Sequence, residues 1–288
     1  MDSLQATGGM NRARLLQLGF ELGARALGGK SQGAWFATAP GGAPVVLKWT
    51  ADQAMADRYA ALLPGLDELR ARGVPAPEYL HVSPFDGGTL SAQRLLPGRS
   101  EDNPSPAVVE SVVECVAAKA GIGGPRPAAD QSTWGAFVVR TLTGGQDGWE
   151  MRELLRGGGR RCAAVLDRAE AVGAGADPSW FPDDGLVHRD LHTDNVLICE
   201  GALSGVIDWE DACAGDHRYD LVAFAFDLEG HGQPIWDVVD AAGFEPRALR
   251  AYVALLALKC TASAILHRPE DVVRQLDRAE RVFARYEV

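Results

Sequence analysis

The chain of 288 residues has only five cysteines, Cys115, Cys162, Cys199, Cys213 and Cys260, odd in number and without a C-x-x-C pair. That pattern excludes a disulfide framework and a thiolate metal site, and leaves the cysteines as small buried hydrophobes. No apolar run approaches the span of a bilayer. The opening "MDSLQATGGMNRARLLQLGF" has no basic segment followed by an apolar stretch and a small-residue cleavage site, so a cytoplasmic location with no membrane partner is the expectation. Basic charge is also short, with 28 Lys and Arg against 39 Asp and Glu and a formal charge of −11. Nucleic-acid binding needs the opposite footprint, whereas a cationic partner suits this one. There is no internal repeat, and a hydrophobic content of 47% suffices for one large domain or two lobes.

A phosphate-binding P-loop is missing too, despite the spelling Gly28-Gly29-Lys30-Ser31. The strict G-x-x-x-x-G-K-[ST] pattern requires a first glycine at position 24, where Ala24 stands, and a buried strand before it. Here "NRARLLQLGFELG" spaces Leu15, Leu18 and Leu22 like a helix. The segment then leads into "GAWFATAPGGAPVVLKWT", read as a hairpin of strands 34–39 and 45–49 around a Pro-Gly-Gly turn.

"ADQAMADRYAALLPGLDELRARG" is predicted to be helical, with a break or kink at Pro64-Gly65, and "VPAPEYLHV" and "GTLSAQRLLPG" to be short strands. From about position 106 the pattern turns helical. Val109, Val112, Val113 and Val116 share one face, "RRCAAVLDRAEAVGA" continues the trend, and two long helical segments close the chain. The last of these begins near Pro269 and places Val273, Leu276 and Phe283 at core spacing. The expectation is an α+β chain with a sheet-rich lobe over residues 1–96, a break at Leu96-Pro97-Gly98, and a mostly helical lobe over residues 97–288.

Acidic residues concentrate between Asp183 and Glu229, twelve Asp and Glu against Arg189 and Arg218 alone. Within that stretch "VLIC" and "SGVIDW" flank Glu200-Gly201 as a tight hairpin, which brings Asp190, Asn195 and Asp208 to one end. His188-Arg189-Asp190, then four residues, then Asn195 agrees with the H-R-D-x-x-x-x-N catalytic loop of kinases. The residue types suit phosphoryl transfer. Asn195 and Asp208 offer hard oxygen ligands for Mg²⁺, and Asp190 is left as the base for an acceptor hydroxyl.

"HRDLHTDN", "VIDWEDACAGDHRYDL", "VVLKW" and "RARGVPAPEYL" with "AQRLLPG" together resemble the aminoglycoside phosphotransferase family, whose fold is similar to that of protein kinases. The resemblance covers most of the chain and implies ATP or GTP bound between two lobes. It also implies Lys48 on the nucleotide's phosphates, and Gly29, Lys30 and Ser31 in the loop that covers them. The backbone around Arg94 and Leu96 then meets the base, and His188, Asp216 and Asp220 support the catalytic loop. Three features depart from the pattern. Arg189 replaces the family's usual small residue, no D-F-G or A-P-E follows, and no glutamate is obviously placed to pair with Lys48. Asp57 is the nearest acid, while Asp67 and Glu68 lie beyond Pro64.

Glu210, Asp211, Asp227 and Glu229 follow the catalytic hairpin and would concentrate a polycation. The expected acceptor is therefore a cationic antibiotic, an aminoglycoside or a basic peptide of the viomycin and capreomycin type, modified by a monomer or weak dimer. Kinases of an endogenous small alcohol or of a macrolide, and a non-catalytic nucleotide-binding module, are the alternatives.

Overall fold

Asn11 opens the first helix by accepting hydrogen bonds from the amides of Ala13 and Arg14, at 3.1 and 3.2 Å. The computed structural model describes residues 11–25, 34–127, 132–145 and 149–288. Helix α1 (Arg12–Gln17) is short. Leu15 is buried, Leu18 is exposed, and the chain turns at Gly19 into strand β1 (Glu21–Arg25). The predicted helical face through Leu22 is thus wrong, because Leu22 pairs with Ala37 across a strand ladder.

Strands β2 (Trp35–Thr38) and β3 (Pro44–Thr50) form the expected hairpin, with Ala37 opposite Val45. Strands β4 (Tyr79–Phe85) and β5 (Gly88–Arg94) complete a five-stranded antiparallel sheet of order β1-β2-β3-β5-β4. Alternate residues Val45, Leu47, Leu90 and Ala92 face Leu15, Phe20 and Phe85 and make one apolar core.

Helix α2 (Met55–Ala71) runs on through Pro64, so the predicted break is absent. Tyr59, Leu62, Leu66 and Leu69 lie along one buried stripe, and Gly65 sits so close to the Gly123 carbonyl that a Cβ would come to 2.8 Å. That packing outweighs the lost hydrogen bond at Pro64, which faces solvent. The stripe belongs to the larger helical core, not to the sheet's core. We propose the lobe boundary at Leu96-Pro97, with α2 leaning its apolar face into the second lobe. There the chain crosses to a lower hairpin: Arg99 and Ile198 exchange backbone hydrogen bonds at 3.1 and 2.8 Å. Gly98, at φ +105°, leaves no room for a side chain against the Ile198 carbonyl.

The larger part is built from helices α3 (Pro106–Ala117), α4 (Trp134–Thr143), α5 (Trp149–Gly157) and α6 (Arg160–Ala174). Four short strands follow, β6 (Gly185–Val187), β7 (Val196–Cys199), β8 (Ala202–Val206) and β9 (Cys213–Gly215), paired β6 with β9 and β7 with β8. Helices α7 (Tyr219–Gly230), α8 (Trp236–Ala241), α9 (Pro246–His267) and α10 (Val272–Tyr286) close the fold. Helix α9 is long and apolar enough to cross a membrane by length and composition, but 67% of its apolar window is buried inside the protein. In α10, Leu276 and Phe283 are buried as predicted, whereas Val273 is 61% exposed and belongs to no core.

Candidate active site

The loop after β6 carries the sequence His188 to Asn195, and its shape is set from below. Asp220, fully buried at the first turn of α7, accepts hydrogen bonds from the amides of His188 (2.6 Å) and Arg189 (3.0 Å) and pairs with buried Lys119. Those bonds hold Arg189 at φ +73°, a left-handed conformation. A small residue meets that demand at least cost. Here the guanidinium lies 4.4 Å from the Phe137 ring centroid and donates to the carbonyls of Pro127 and Asp211.

His188 is buried beneath the loop. Its Nε2 lies 2.8 Å from the Ile207 carbonyl, and Asp190 donates its amide to Nδ1 at 3.3 Å. These two partners define a neutral imidazole with the proton on Nε2, and burial lowers its pKa accordingly. The Asp190 side chain is 54% exposed at the loop's outer surface. Partial burial works to raise its pKa, but the His192 imidazole, 3.5 Å away, prevails and holds the carboxylate below its usual range. The converse holds for His192, where burial is overcome by Asp190 and the pKa is raised.

Asn195 donates through Nδ2 to the Asp190 carbonyl at 2.8 Å, which leaves its Oδ1 as an acceptor, and its own carbonyl accepts from the Ile207 amide at 3.0 Å. That last bond ties the loop to the segment after β8, where Asp208 takes φ +71°. The β7–β8 turn is formed by Glu200 and Gly201, both at positive φ, as a two-residue hairpin requires. From above, Lys48 on β3 reaches down with Nζ 2.6 Å from Asp208 Oδ1 and 2.5 Å from Glu210 Oε1. Burial works against the Lys48 ammonium, but the two carboxylates together raise its pKa. Asp208 is driven down, its partial burial outweighed by Glu210 and Lys48, while burial pushes Glu210 up.

Lys48, Asp190, Asn195 and Asp208 are therefore gathered between the sheet and the helical part. The donor set of Asn195 Oδ1 and the Asp208 carboxylate is hard oxygen and fits a magnesium ion. Arg94 ends β5 with its guanidinium on Glu78, and Leu96 packs toward Gly205, at the crossing between the parts. Gly29, Lys30 and Ser31 lie outside the described residues. Asp216, fully buried, accepts from Arg218 and from the Tyr252 hydroxyl at 3.0 Å.

Three of the four acids expected to attract a cation are paired within the protein. Glu210 is buried on Lys48, and Glu229 accepts from Trp236 Nε1 at 3.0 Å and from Arg281 at 2.7 Å. Asp227 accepts both the amide and hydroxyl of Thr193 at 2.9 Å and lies near Arg278 and His231. Only Asp211 of the four is exposed. Sequence reading passed over His192, although it lies inside the quoted "HRDLHTDN". It also passed over Lys119, which reaches its partner across 101 positions and has no local signal.

Residues 23–255 match the profile of the Phosphotransferase enzyme family (APH), and the chain belongs to that family. A homoserine kinase of Methylobacterium radiotolerans is 39% identical over 87 residues, 28% of this chain and 27% of that protein. The viomycin phosphotransferase of Streptomyces vinaceus is 31% identical over 172 residues, 55% of this chain and 53% of that protein. The chain thus matches between a quarter and about half of the length of these relatives. Among solved structures, a thermostable mutant of aminoglycoside phosphotransferase APH(4)-Ia, in ternary complex with ADP and hygromycin B, superposes with a TM-score of 0.68. That match covers 94% of this chain and 96% of the other at 21% identity, a likeness of fold: a kinase-like arrangement of a sheet-rich part over a mostly helical one.

Proposed function

We propose that the protein transfers the γ-phosphate of ATP, or of GTP, to a hydroxyl of a small molecule in the cytoplasm. The observation that carries this reading is that the Lys48–Asp208 ion pair and the bond from the Ile207 amide to the Asn195 carbonyl bring Lys48, Asp208 and the loop from Asp190 to Asn195 together. In the reaction the acceptor oxygen bonds to the γ-phosphorus, the bond from that phosphorus to the β-bridging oxygen breaks, and the hydroxyl proton passes to Asp190. Asp190 suits the task because it is exposed, ionised and held in place by His192, Asn195 and the His188 ring. Asn195 and Asp208 would hold magnesium, which neutralises charge on the phosphates. Lys48 binds the α- and β-phosphates. We further place Gly29, Lys30 and Ser31 over the phosphates and the backbone from Arg94 to Leu96 at the base.

For the acceptor, a cationic antibiotic is supported by the chain's acidity and by the viomycin phosphotransferase match. Such a reaction would confer resistance. A small amino alcohol of the homoserine kind is the second reading. It is favoured by the higher local identity to homoserine kinase and by the internal pairing of Glu210, Asp227 and Glu229, which leaves little carboxylate free to collect a polycation. The deciding experiment follows nucleoside diphosphate release from Mg·ATP and Mg·GTP with viomycin, capreomycin, aminoglycosides, macrolides and homoserine. Release with one class and not the others identifies the acceptor. Release with none, while ATP still binds, would turn the reading to the binding module.

A further inference from the structure

Kinase-type sites hold their strand lysine with a glutamate from the neighbouring helix. Here that helix is α2, and it sends no carboxylate to Lys48. Asp57 is exposed, and Asp67 and Glu68 are turned to Arg70 and Arg72 at the far end. The face of α2 above the lysine carries Tyr59 instead. Its hydroxyl lies 3.4 Å from the Ser91 hydroxyl, and Ser91 is the residue paired with Lys48 across the β3–β5 ladder. Directly paired residues on neighbouring strands present their side chains on the same face, so Tyr59 stands over the position the lysine occupies.

We infer that Glu210, two residues beyond Asp208, has taken over the role of the missing helix glutamate and is the residue that positions Lys48 for the nucleotide's phosphates. Its carboxylate is 11% exposed, and Oε1 lies 2.5 Å from Lys48 Nζ. The Glu210 carboxyl group meets the Lys48 ammonium and the neighbouring Asp208 carboxylate, and Lys48 is the cation that answers its buried charge. Asp208 makes a different partner. It is 46% exposed, able to turn toward a metal, and so cannot hold the lysine once it does. Glu210 cannot turn away. It sits in a 3-10 turn, Trp209–Asp211, anchored by the buried Trp209 ring, whose Nε1 donates to the Val206 carbonyl at 2.7 Å.

Helix α2 still reaches the lysine, but indirectly. Arg58, one residue before Tyr59, donates to the carbonyls of Asp211 and Ala212 at 3.2 and 3.1 Å, immediately after Glu210. A movement of α2 would therefore shift the turn that carries Glu210, preserving the coupling between helix and lysine through a different residue. Because the role concerns phosphates, this inference rests on the ATP-dependent reading above.

The test is a double-variant cycle on the full chain with Lys48→Met, Glu210→Gln and both together, titrated with ATP and with adenosine, in magnesium and in EDTA. A positioning role predicts that Glu210→Gln weakens ATP binding by about tenfold, as expected for loss of a charge-assisted contact, and leaves adenosine binding unchanged. The loss persists in EDTA, and the double variant is no weaker than Lys48→Met alone. Glu210→Asp, one methylene short, falls between Glu210→Gln and the parent, and thermal melts of every variant verify folding. Additive losses in the double variant would overturn the inference, as would a loss confined to magnesium, which would make Glu210 a metal ligand. A parent protein that binds no ATP at all would instead overturn the functional reading, so the two failures are distinct.

Discussion

The Asp220 carboxylate grips the backbone amides of His188 and Arg189 while Lys119 neutralises it from the other side, with Asp220, Lys119 and His188 all buried. The loop from His188 to Asn195 is therefore built on a charge pair that cannot be broken cheaply. Asp220→Ala leaves the Lys119 ammonium, 3% exposed, without a counter-charge and two amides without an acceptor. The expected cost is roughly 3–5 kcal/mol. Urea denaturation would measure it, with Lys119→Met in the same background recovering part of the loss. A change below about 1 kcal/mol would contradict the role assigned to the pair.

Asp208 is the only carboxylate of the Lys48 pair with an exposed side chain. Asp208→Ala should remove the magnesium-dependent part of the ATP-induced thermal shift, so that the shifts in magnesium and in EDTA become equal. Retention of a larger shift in magnesium would assign the metal elsewhere.

Pro64 lies on the solvent side of α2, where its ring deprives the Ala60 carbonyl of a helical donor without adding burial. Pro64→Ala should stabilise the protein by about 1–3 kcal/mol. Equal or lower stability in chemical denaturation would mean that the proline pre-sets the chain for the Gly65–Gly123 contact.

The buried neutral His188 gives a pH prediction of definite sign. Its folded pKa lies below the ordinary value of about 6.5. Between those values the unfolded chain binds a proton that the folded chain refuses. The contribution is complete above about pH 6.5 and is lost as pH falls through the window below it. His192 shifts in the opposite direction, so the comparison must be made against a variant. His188→Gln, which can donate and accept at similar positions, should show a smaller fall in urea midpoint from pH 7 to pH 5 than the parent. An equal fall would place the titration elsewhere.

Much of this was legible locally. The β2–β3 hairpin, the Glu200-Gly201 turn and the loop from His188 to Asn195 are short-range patterns, and the structure places Asp190, Asn195 and Asp208 together. What escaped was decided by distant packing. Leu22 left the helical pattern because Gly19 turned the chain into the sheet, and α2 ignored Pro64 because four residues along one face found a core to enter. Glu210, Asp227 and Glu229 read as acids that would concentrate a polycation, yet their partners Lys48, Arg278 and Arg281 come from opposite ends of the chain. No window of sequence contains those pairs.

We assign Asp190 as the base that accepts the proton of a phosphoryl acceptor. The decisive measurement is single-turnover phosphoryl transfer with Asp190→Asn beside the parent, using the first acceptor identified, with ATP affinity measured in parallel. We expect ATP affinity within about twofold of the parent and turnover lower by about a hundredfold or more. Unchanged turnover with bound ATP would contradict the assignment of Asp190.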